Sequence, residues 1–162
     1  MEQKILIFKL IITFLLIFFS FASFAENIIK GKAKIIDGDT IHIGKYKIRL
    51  HGIDAPEIKQ TCTINKIIWE CGVVSSQALE NIISEEEVRC EILDTDRYKR
   101  FVAKCFVKNI HLNQYMIQNG WAVAYRYYSN DFINDEEIAK KNKAGIWQGK
   151  FQDPYLFRKQ QK

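Results

Sequence analysis

Hydrophobic and polar residues alternate along the chain after residue 26, a pattern that predicts β-strands. The alternating segments are Ile29–Ile36, Thr40–Ile43 and Tyr46–Leu50. Asp37-Gly38-Asp39 has turn composition, and Gly44-Lys45 predicts a short hairpin between the second and third segments. Pro56 places residues 54–57 in a loop, because proline has no amide donor and biases the preceding residue away from helix.

The hydrophobic period changes to that of a helix from Val74 onward. One face of this predicted first helix is apolar, formed by Val74, Ala78, Leu79, Ile82 and Ile83. The opposite face is polar, formed by Ser75, Ser76, Glu80 and Asn81. An amphipathic helix of this kind packs its apolar face on a core.

Two more strands and two more helices are predicted after this helix. Residues 87–107 form a hairpin around the polar turn Asp94–Lys99. A second helix covers Leu112–Asn119 and ends at Gly120, and a third begins at Asn134 with Glu137 in capping-box spacing. The order of elements predicts an α+β fold, compatible with a five-stranded OB-type β-barrel carrying about three α-helices.

The N-terminal segment differs in kind from the rest of the chain. An apolar run, Leu10–Phe24, follows a short charged start and is about 15 residues long, less than the ~20 that a membrane span needs. Small residues at Ser23 and Ala25 predict a signal peptide, residues 1–25, cleaved after Ala25. We therefore expect export to the periplasm or the medium; the alternative is an uncleaved membrane anchor. Residues 26–162 form the predicted domain.

Length and charge set only broad limits. The 162 residues suffice for one compact domain, and the net charge of +5 permits a nucleic-acid partner without requiring one.

The four cysteines, Cys62, Cys71, Cys90 and Cys105, all follow the predicted signal peptide. An oxidising compartment favours disulfides, and none of the spacings has the two-to-four-residue gap of zinc ligands. Strand pairing symmetric about the turn Asp94–Lys99 puts Cys90 opposite Cys105, within reach of a disulfide. Cys62 and Cys71 are then left to pair, and each closure is expected to contribute roughly 3 kcal/mol of stability.

Three stretches combine carboxylates, arginines and turn residues: Ile36–Thr40, Ile48–Glu57 and Asp96–Arg100. Phosphodiester cleavage needs positive groups that neutralise the phosphate oxygens and a base that orients water. The candidates are Asp39 and Asp54 for a hard metal ion, Arg49 and Arg100 for phosphate, and Glu57 as base. Each stretch alone has an ordinary interpretation as a turn, a solvated loop or surface charge, and spacing cannot show that the three converge.

The same stretches resemble the signature of the staphylococcal nuclease (thermonuclease) family. Ile36–Thr40 and Arg49–Glu57 are similar to its paired I-D-G-D-T and R-L-x-G-I-D-A-P-E motifs, and Asp96–Arg100 resembles its D-R-Y-G-R turn. The similarity extends from about Gly31 to Trp147, and its later part rests on Leu112-Asn113, Gly120-Trp121-Ala122 and Ala144-Gly145-Ile146-Trp147. The cysteine arrangement also looks like that of exported bacterial members.

This resemblance implies a calcium-dependent nuclease that accepts DNA and RNA and leaves 3′-phosphate and 5′-hydroxyl ends. It implies a Ca²⁺ site from the Asp39 and Asp54 carboxylates and the Ala55 carbonyl. Glu57 would be the general base acting through water, with Arg49 and Arg100 binding the phosphate and stabilising its transition state. The implied supporting residues are Asp37 beside the metal and Tyr98, Tyr125 and Tyr127 against the nucleotide. We expect a monomer that favours single-stranded or unwound substrate.

Lys99 departs from the family pattern, in which glycine stands between Tyr98 and Arg100. A positive φ at this position would cost a lysine about 1 kcal/mol and re-aim Arg100, or else Lys99 adds a phosphate contact. Two other functions stay open from the sequence. One is a nucleic-acid-binding barrel without catalysis, and the other is a membrane-anchored envelope protein whose barrel binds proteins.

Overall fold

The computed structural model describes residues 27–161. The predicted signal peptide, residues 1–25, lies outside the described residues. Within residues 27–161, no helix combines the length and apolar character needed to cross a membrane.

The described chain contains ten strands and four α-helices, with a short 3₁₀ helix at Gly145–Gln148. The strands are β1 (Ile28–Ile35), β2 (Thr40–Ile43), β3 (Tyr46–Leu50), β4 (Ile53–Asp54), β5 (Cys62–Ile64), β6 (Ile67–Trp69), β7 (Glu87–Thr95), β8 (Phe101–Val107), β9 (Ile110–His111) and β10 (Val123–Ala124). The helices are α1 (Cys71–Ile83), α2 (Leu112–Gln118), α3 (Ile133–Lys141) and α4 (Pro154–Gln160).

Five strands close into a mixed β-barrel, which confirms the predicted α+β, OB-type fold. The order is β3-β2-β1-β7-β8, with antiparallel neighbours throughout. A parallel pairing of β3 with β8, in which Arg49 lies opposite Val102, closes the barrel. Ile41, Ile48 and Leu50 are fully buried inside it, and Leu79 of α1 and Met116 of α2 pack against them.

The hairpin of β7 and β8 has the predicted register. Cys90 lies opposite Cys105, Val88 opposite Val107, and Ile92 opposite Ala103. Both expected disulfides, Cys62–Cys71 and Cys90–Cys105, are formed. The turn itself covers residues 96–100 rather than the predicted Asp94–Lys99, because β7 continues to Thr95. A β-bulge between Ile92 and Asp94 shifts the register there, so the predicted pairing holds only from Val88 to Ile92.

The helix predictions need three corrections. The described residues form four α-helices rather than about three, because the seven-residue helix α4 is too short to show apolar periodicity. Asp153 at its N-cap, followed by Pro154, is nevertheless a helix-start signal. Helix α1 begins at Cys71 rather than Val74. Ser75, on the predicted polar face, is completely buried, and its hydroxyl is satisfied there by donating to the Trp121 carbonyl at 2.7 Å.

The predicted capping box at the start of α3 is wrong. The helix begins at Ile133, one residue before Asn134, and its N-cap is the buried Phe132, which makes no side-chain cap. Glu137 accepts a hydrogen bond from Lys140 instead. Burial of Phe132 sets where this helix starts, so Asn134 already lies inside it. By contrast, α2 ends as predicted before Gly120, whose φ is 69°.

Candidate active site

Arg49, at the end of β3, connects two of the sequence stretches. Its Nη1 donates to Asp39 Oδ1 at 2.6 Å, and its Nη2 donates to Asp54 Oδ1 at 2.8 Å. Both carboxylates are almost completely buried, and the Arg49 side chain is only 14% exposed. Two acidic groups therefore lie within the width of one guanidinium group.

Backbone contacts fix Asp39 between β2 and the loop after β4. The Leu50 amide donates to the Asp39 carbonyl at 2.8 Å, and the Ala55 amide donates to Asp39 Oδ2 at 3.0 Å. The hydroxyl of Thr40 donates to Asp39 Oδ1 at 2.9 Å. The turn formed by the first motif thus places the Asp39 carboxylate in contact with the backbone amide of Ala55 in the second motif.

Asp54 lies in a two-residue strand rather than the predicted loop. In β4 it pairs with Val123 of β10, and the Tyr125 amide donates to the Gly52 carbonyl at 2.9 Å. This pairing brings the Tyr125 ring to within 5.8 Å of Arg49 Cζ. The sequence predicts a loop at Asp54 because a two-residue strand leaves no alternation of hydrophobic and polar residues.

Glu57 projects from the loop that follows Pro56, and its side chain is 35% exposed. Gln60 holds this loop with two hydrogen bonds. Its side-chain Oε1 accepts from the Glu57 backbone amide at 3.2 Å, and its backbone amide donates to the Glu57 carbonyl at 2.7 Å. Gly72, near the start of α1, packs against the same carbonyl so closely that a Cβ atom would lie 1.7 Å from it. The loop is therefore restrained from two sides.

Arg158 of α4 joins the site, although no sequence pattern predicted it. Its Nη1 donates to Asp54 Oδ1 and to Glu57 Oε1, both at 2.8 Å, and its Nη2 donates to Asp54 Oδ2 at 2.9 Å. Arg158 thereby brings Glu57 into the same cluster as Asp54. Its only sequence signal is a basic residue near the end of the chain, which is too common to indicate a site.

Arg100, the second predicted phosphate ligand, is bound to a carboxylate of its own turn. Its Nε and Nη2 bind Asp96 Oδ2 at 2.8 and 2.7 Å, and within residues 27–161 it forms no ion pair with Asp39, Asp54 or Glu57. Lys99, the residue before it, has φ 62°, which is the left-handed conformation considered above for the position where the family has glycine. The structure therefore brings together Asp39, Arg49, Asp54, Ala55 and Glu57, and leaves Arg100 bound within its own turn.

The predicted aromatic residues divide between two places. Tyr125 and Tyr127 line a cleft of about 440 Å³ together with Arg97, Tyr128 and Tyr155. Tyr155, from α4, lies with its ring centroid 6.5 Å from that of Tyr125. Tyr98 is exposed on the β7–β8 turn, between Arg97 and Arg100. Arg97 and Tyr155 belong to the cleft without having been predicted.

The acidic groups differ in how their charge is stabilised. Burial, together with the charges of Asp39 and Glu57, raises the pKa of Asp37 to about 7. Burial opposes ionisation of Asp39 as well, but Arg49 and the Ala55 amide hold its pKa below the ordinary value. The pKa of Asp54 is raised, because its burial and the neighbouring Asp39 charge outweigh the two arginines.

The donor set fits a hard divalent cation. Asp39 and Asp54 supply carboxylate oxygens, and the Ala55 backbone lies against Asp39, so a main-chain carbonyl is close by. Within residues 27–161, no group of three or more His, Cys, Asp or Glu side chains has a metal-binding arrangement. An ion held here would take two carboxylates and one carbonyl from the chain, with water in the remaining positions.

Comparison with known proteins identifies the family of this chain. The family model described as "Staphylococcal nuclease homologue" matches residues 47–149, which include Arg49, Asp54, Glu57 and Arg100. The chain belongs to the staphylococcal nuclease family. The match covers well over half of the chain, and it includes β3, where the second motif begins.

Several relatives align over most of the chain. The succinoglycan biosynthesis protein ExoI of Rhizobium meliloti is 40% identical over 131 residues, covering 78% of this chain and 68% of its own. An uncharacterized endonuclease of Haemophilus influenzae is 30% identical, covering 86% of this chain and 78% of its own. A probable staphylococcal-like nuclease of Oryza sativa is 30% identical over 76% of this chain, which spans only 31% of the rice protein.

Proposed function

We propose that this protein is a calcium-dependent nuclease that hydrolyses phosphodiester bonds in DNA and RNA and leaves 3′-phosphate ends. The observation that carries the proposal is the bridge from Arg49 to Asp39 and Asp54, in a chain of the staphylococcal nuclease family. The relatives named nuclease and endonuclease support the same reaction class. The bridge supports it further because buried carboxylates beside a guanidinium can bind a cation and a phosphate together.

In this mechanism, Glu57 orients a water molecule and accepts its proton as the water oxygen bonds to phosphorus. The bond from phosphorus to the 5′ oxygen breaks, and that oxygen takes up a proton from solvent water and is released as a hydroxyl group. Arg49 donates hydrogen bonds to the phosphate oxygens as their charge develops. Asp39, Asp54 and the Ala55 carbonyl would hold Ca²⁺, and the bound ion would neutralise negative charge on the phosphate.

Arg100 has to exchange its partner to act in this reaction. Its guanidinium group binds Asp96 and lies 5.6 Å from the Tyr98 ring. Phosphate oxygens can accept the same paired, charge-assisted hydrogen bonds that Asp96 accepts, so a bound substrate can take Arg100 over from Asp96. Tyr125 and Tyr127 offer aromatic faces in the adjoining cleft on which an unstacked base can lie.

The remaining proposals concern substrate form and location. A stacking cleft requires an unstacked base, so single-stranded or unwound nucleic acid is the preferred substrate. We also propose that the enzyme acts as a monomer. Residues 1–25 direct export to the periplasm or the medium, and they anchor the protein to the membrane if they are retained.

The deciding experiment is digestion of heat-denatured DNA and of RNA by the purified, oxidised protein, with calcium and with a calcium chelator. Glu57→Gln and Arg100→Ala are each expected to lower the cleavage rate by about 10²–10⁴-fold while substrate binding persists. Glu80→Gln, which removes an exposed carboxylate in α1, is the matched control and should cleave normally.

The same assay separates the alternatives. Binding without cleavage by the unaltered protein would instead identify a nucleic-acid-binding barrel. Equal cleavage in chelator, or full activity of Glu57→Gln, would exclude the proposed mechanism. End-group analysis of the products should find 3′-phosphate; a 5′-phosphate would contradict the assigned bond cleavage.

A further inference from the structure

Helix α4 is fastened to the loop that carries Glu57. Thr63 of β5 and Lys150 exchange two backbone hydrogen bonds of 2.8 Å. Two residues further on, the Gln152 carbonyl accepts from Gln60 Nε2 at 2.6 Å, and Gln60 is the residue that holds Glu57. Asp153 then caps α4 by accepting from the Leu156 amide. These contacts place the helix, and with it Arg158, over the acidic cluster.

Arg158 uses the same carboxylate oxygens that a cation would need. Asp54 Oδ1 accepts from both Arg49 Nη2 and Arg158 Nη1, so both of its lone pairs are engaged. Asp54 Oδ2 accepts from Arg158 Nη2. A calcium ion binds carboxylate oxygens at about 2.3–2.6 Å, so a guanidinium group bound to the same oxygens would both block it and repel it.

Of the two arginines, Arg158 rather than Arg49 can move away from the carboxylates when a cation binds. The Arg49 side chain is 14% exposed and lies on a barrel strand, bridging both aspartates. The Arg158 side chain is 31% exposed and lies near the end of a seven-residue helix. Releasing Arg158 frees Asp54 Oδ2, one lone pair of Asp54 Oδ1 and Glu57 Oε1 without disturbing the barrel.

We infer that Arg158 competes with the divalent cation for Asp54 and holds Glu57 only while the cation is absent, so that helix α4 sets the metal affinity of the site. This inference rests on the proposed calcium-dependent function. Without the cation, Arg158 neutralises the carboxylates; with it, Arg158 moves away and leaves Glu57 free to bind water. Because coupling between two binding events is reciprocal, calcium binding must loosen the contact of α4 with the site.

Calcium titration by calorimetry of the purified, oxidised, metal-free protein tests the competition directly. Arg158→Ala should bind Ca²⁺ about tenfold more tightly than the unaltered protein, a change within the usual range of coupled sites. Arg158→Lys, which keeps the charge but not the bidentate fork, should fall between the two. Lys159→Ala removes the neighbouring exposed charge and should change the affinity less than twofold.

A second measurement does not depend on a variant. Hydrogen exchange of the backbone amides of residues 155–160 in the unaltered protein should quicken at least fivefold when Ca²⁺ is added, while amides of β8 do not change. If Arg158 instead organised the carboxylates for the metal, Arg158→Ala would bind Ca²⁺ more weakly and α4 would be protected by it.

The outcomes distinguish this inference from the proposed function. Equal or weaker calcium affinity in Arg158→Ala, or unchanged exchange in α4, overturns the competition even if Glu57→Gln abolishes cleavage. Absence of calcium binding in every variant overturns both the competition and the calcium dependence of the proposed nuclease.

Discussion

At Lys99 the backbone adopts the left-handed conformation, with φ 62°, in the turn between β7 and β8. The turn is held by Asp96, whose Oδ1 accepts from the Tyr98 and Arg100 amides and whose Oδ2 binds the Arg100 side chain. A lysine in this conformation has its Cβ close to the backbone, which glycine avoids. One residue thus bears strain directly before a proposed catalytic arginine.

We predict that Lys99→Gly raises the free energy of unfolding by about 0.5–1 kcal/mol. Relief of the left-handed strain outweighs the extra freedom that glycine gives the unfolded chain. Urea denaturation measures the change. Lys45→Gly is the control, since Lys45 occupies a hairpin turn outside the left-handed region and should gain nothing. A loss of stability in Lys99→Gly would contradict the assigned strain.

At the level of single elements, the start of α1 determines where the Glu57 loop can lie. Gly72 is the second residue of this helix, and its missing side chain allows the Glu57 carbonyl to approach. The Cys62–Cys71 disulfide closes the loop between β5 and α1 immediately beside it. The helix, the disulfide and Gln60 together restrain one loop.

We predict that Gly72→Ala destabilises the protein by about 1–3 kcal/mol, although alanine is the better helix former. The added Cβ would lie 1.7 Å from a backbone oxygen, so the loop has to move. Cleavage should fall more than tenfold, since the proposed base moves with the loop. Thermal unfolding and initial rates measure both effects, with the exposed Gln77→Ala in the same helix as control. An unchanged rate would show that the loop position does not matter for cleavage.

Helix α3 is joined to β10 by one buried carboxylate. Glu136 accepts from the Ala124 amide at 2.9 Å, from Arg126 at 2.5 Å and from Lys140 at 2.8 Å. Burial opposes its charge, but these donors hold the pKa of Glu136 below its ordinary value. Because β10 pairs with β4, this carboxylate helps to support the strand that carries Asp54.

We predict that Glu136→Gln lowers the free energy of unfolding by about 1–3 kcal/mol at pH 7. A lowered pKa in the folded state means that the charged form stabilises above the unfolded pKa of about 4.5. That contribution disappears as the pH falls through the lower folded pKa, so the difference between variant and unaltered protein should shrink below about pH 4.

Urea denaturation at pH 7, 5 and 3.5 checks this dependence. Glu137→Gln, which removes the neighbouring and 60% exposed carboxylate, should have little effect at any pH. A deficit in Glu136→Gln that stays constant from pH 7 to pH 3.5 would show that packing, not charge, is responsible.

At the level of the whole molecule, the acidic cluster exists only when the barrel is closed. Asp39 and Asp54 lie on different segments and come together through Arg49, whose strand pairs with both β2 and β8. A ligand of this cluster therefore binds the folded chain and not the unfolded one. Such binding adds stability in proportion to the logarithm of the ligand concentration.

We predict that calcium at about 100 times its dissociation constant raises the free energy of unfolding by about 2.7 kcal/mol and the melting temperature by several degrees. Asp39→Asn should abolish this calcium-dependent shift, whereas Asp94→Asn, at an exposed position of β7, should keep it. Differential scanning calorimetry with calcium and with chelator measures both. A shift retained in Asp39→Asn would place the ion elsewhere.

The amino-acid sequence by itself determined the features that depend on neighbouring residues. Alternation and turn composition predicted β2 and β3 to the residue and aligned Cys90 with Cys105. The motifs identified Asp39, Arg49, Asp54 and Glu57 as candidates for one cluster. Local patterns are sufficient there, because strand period, turn geometry and motif spacing act over a few residues.

Only the tertiary structure decided which distant groups meet. The contact between Asp54 and Arg158 spans 104 residues, and no local pattern marks either its partner or its geometry. The burial of Ser75 and the start of α3 at Phe132 likewise depend on what packs against them. Such choices follow from burial and hydrogen-bond satisfaction across the whole molecule, which a single stretch of sequence does not contain.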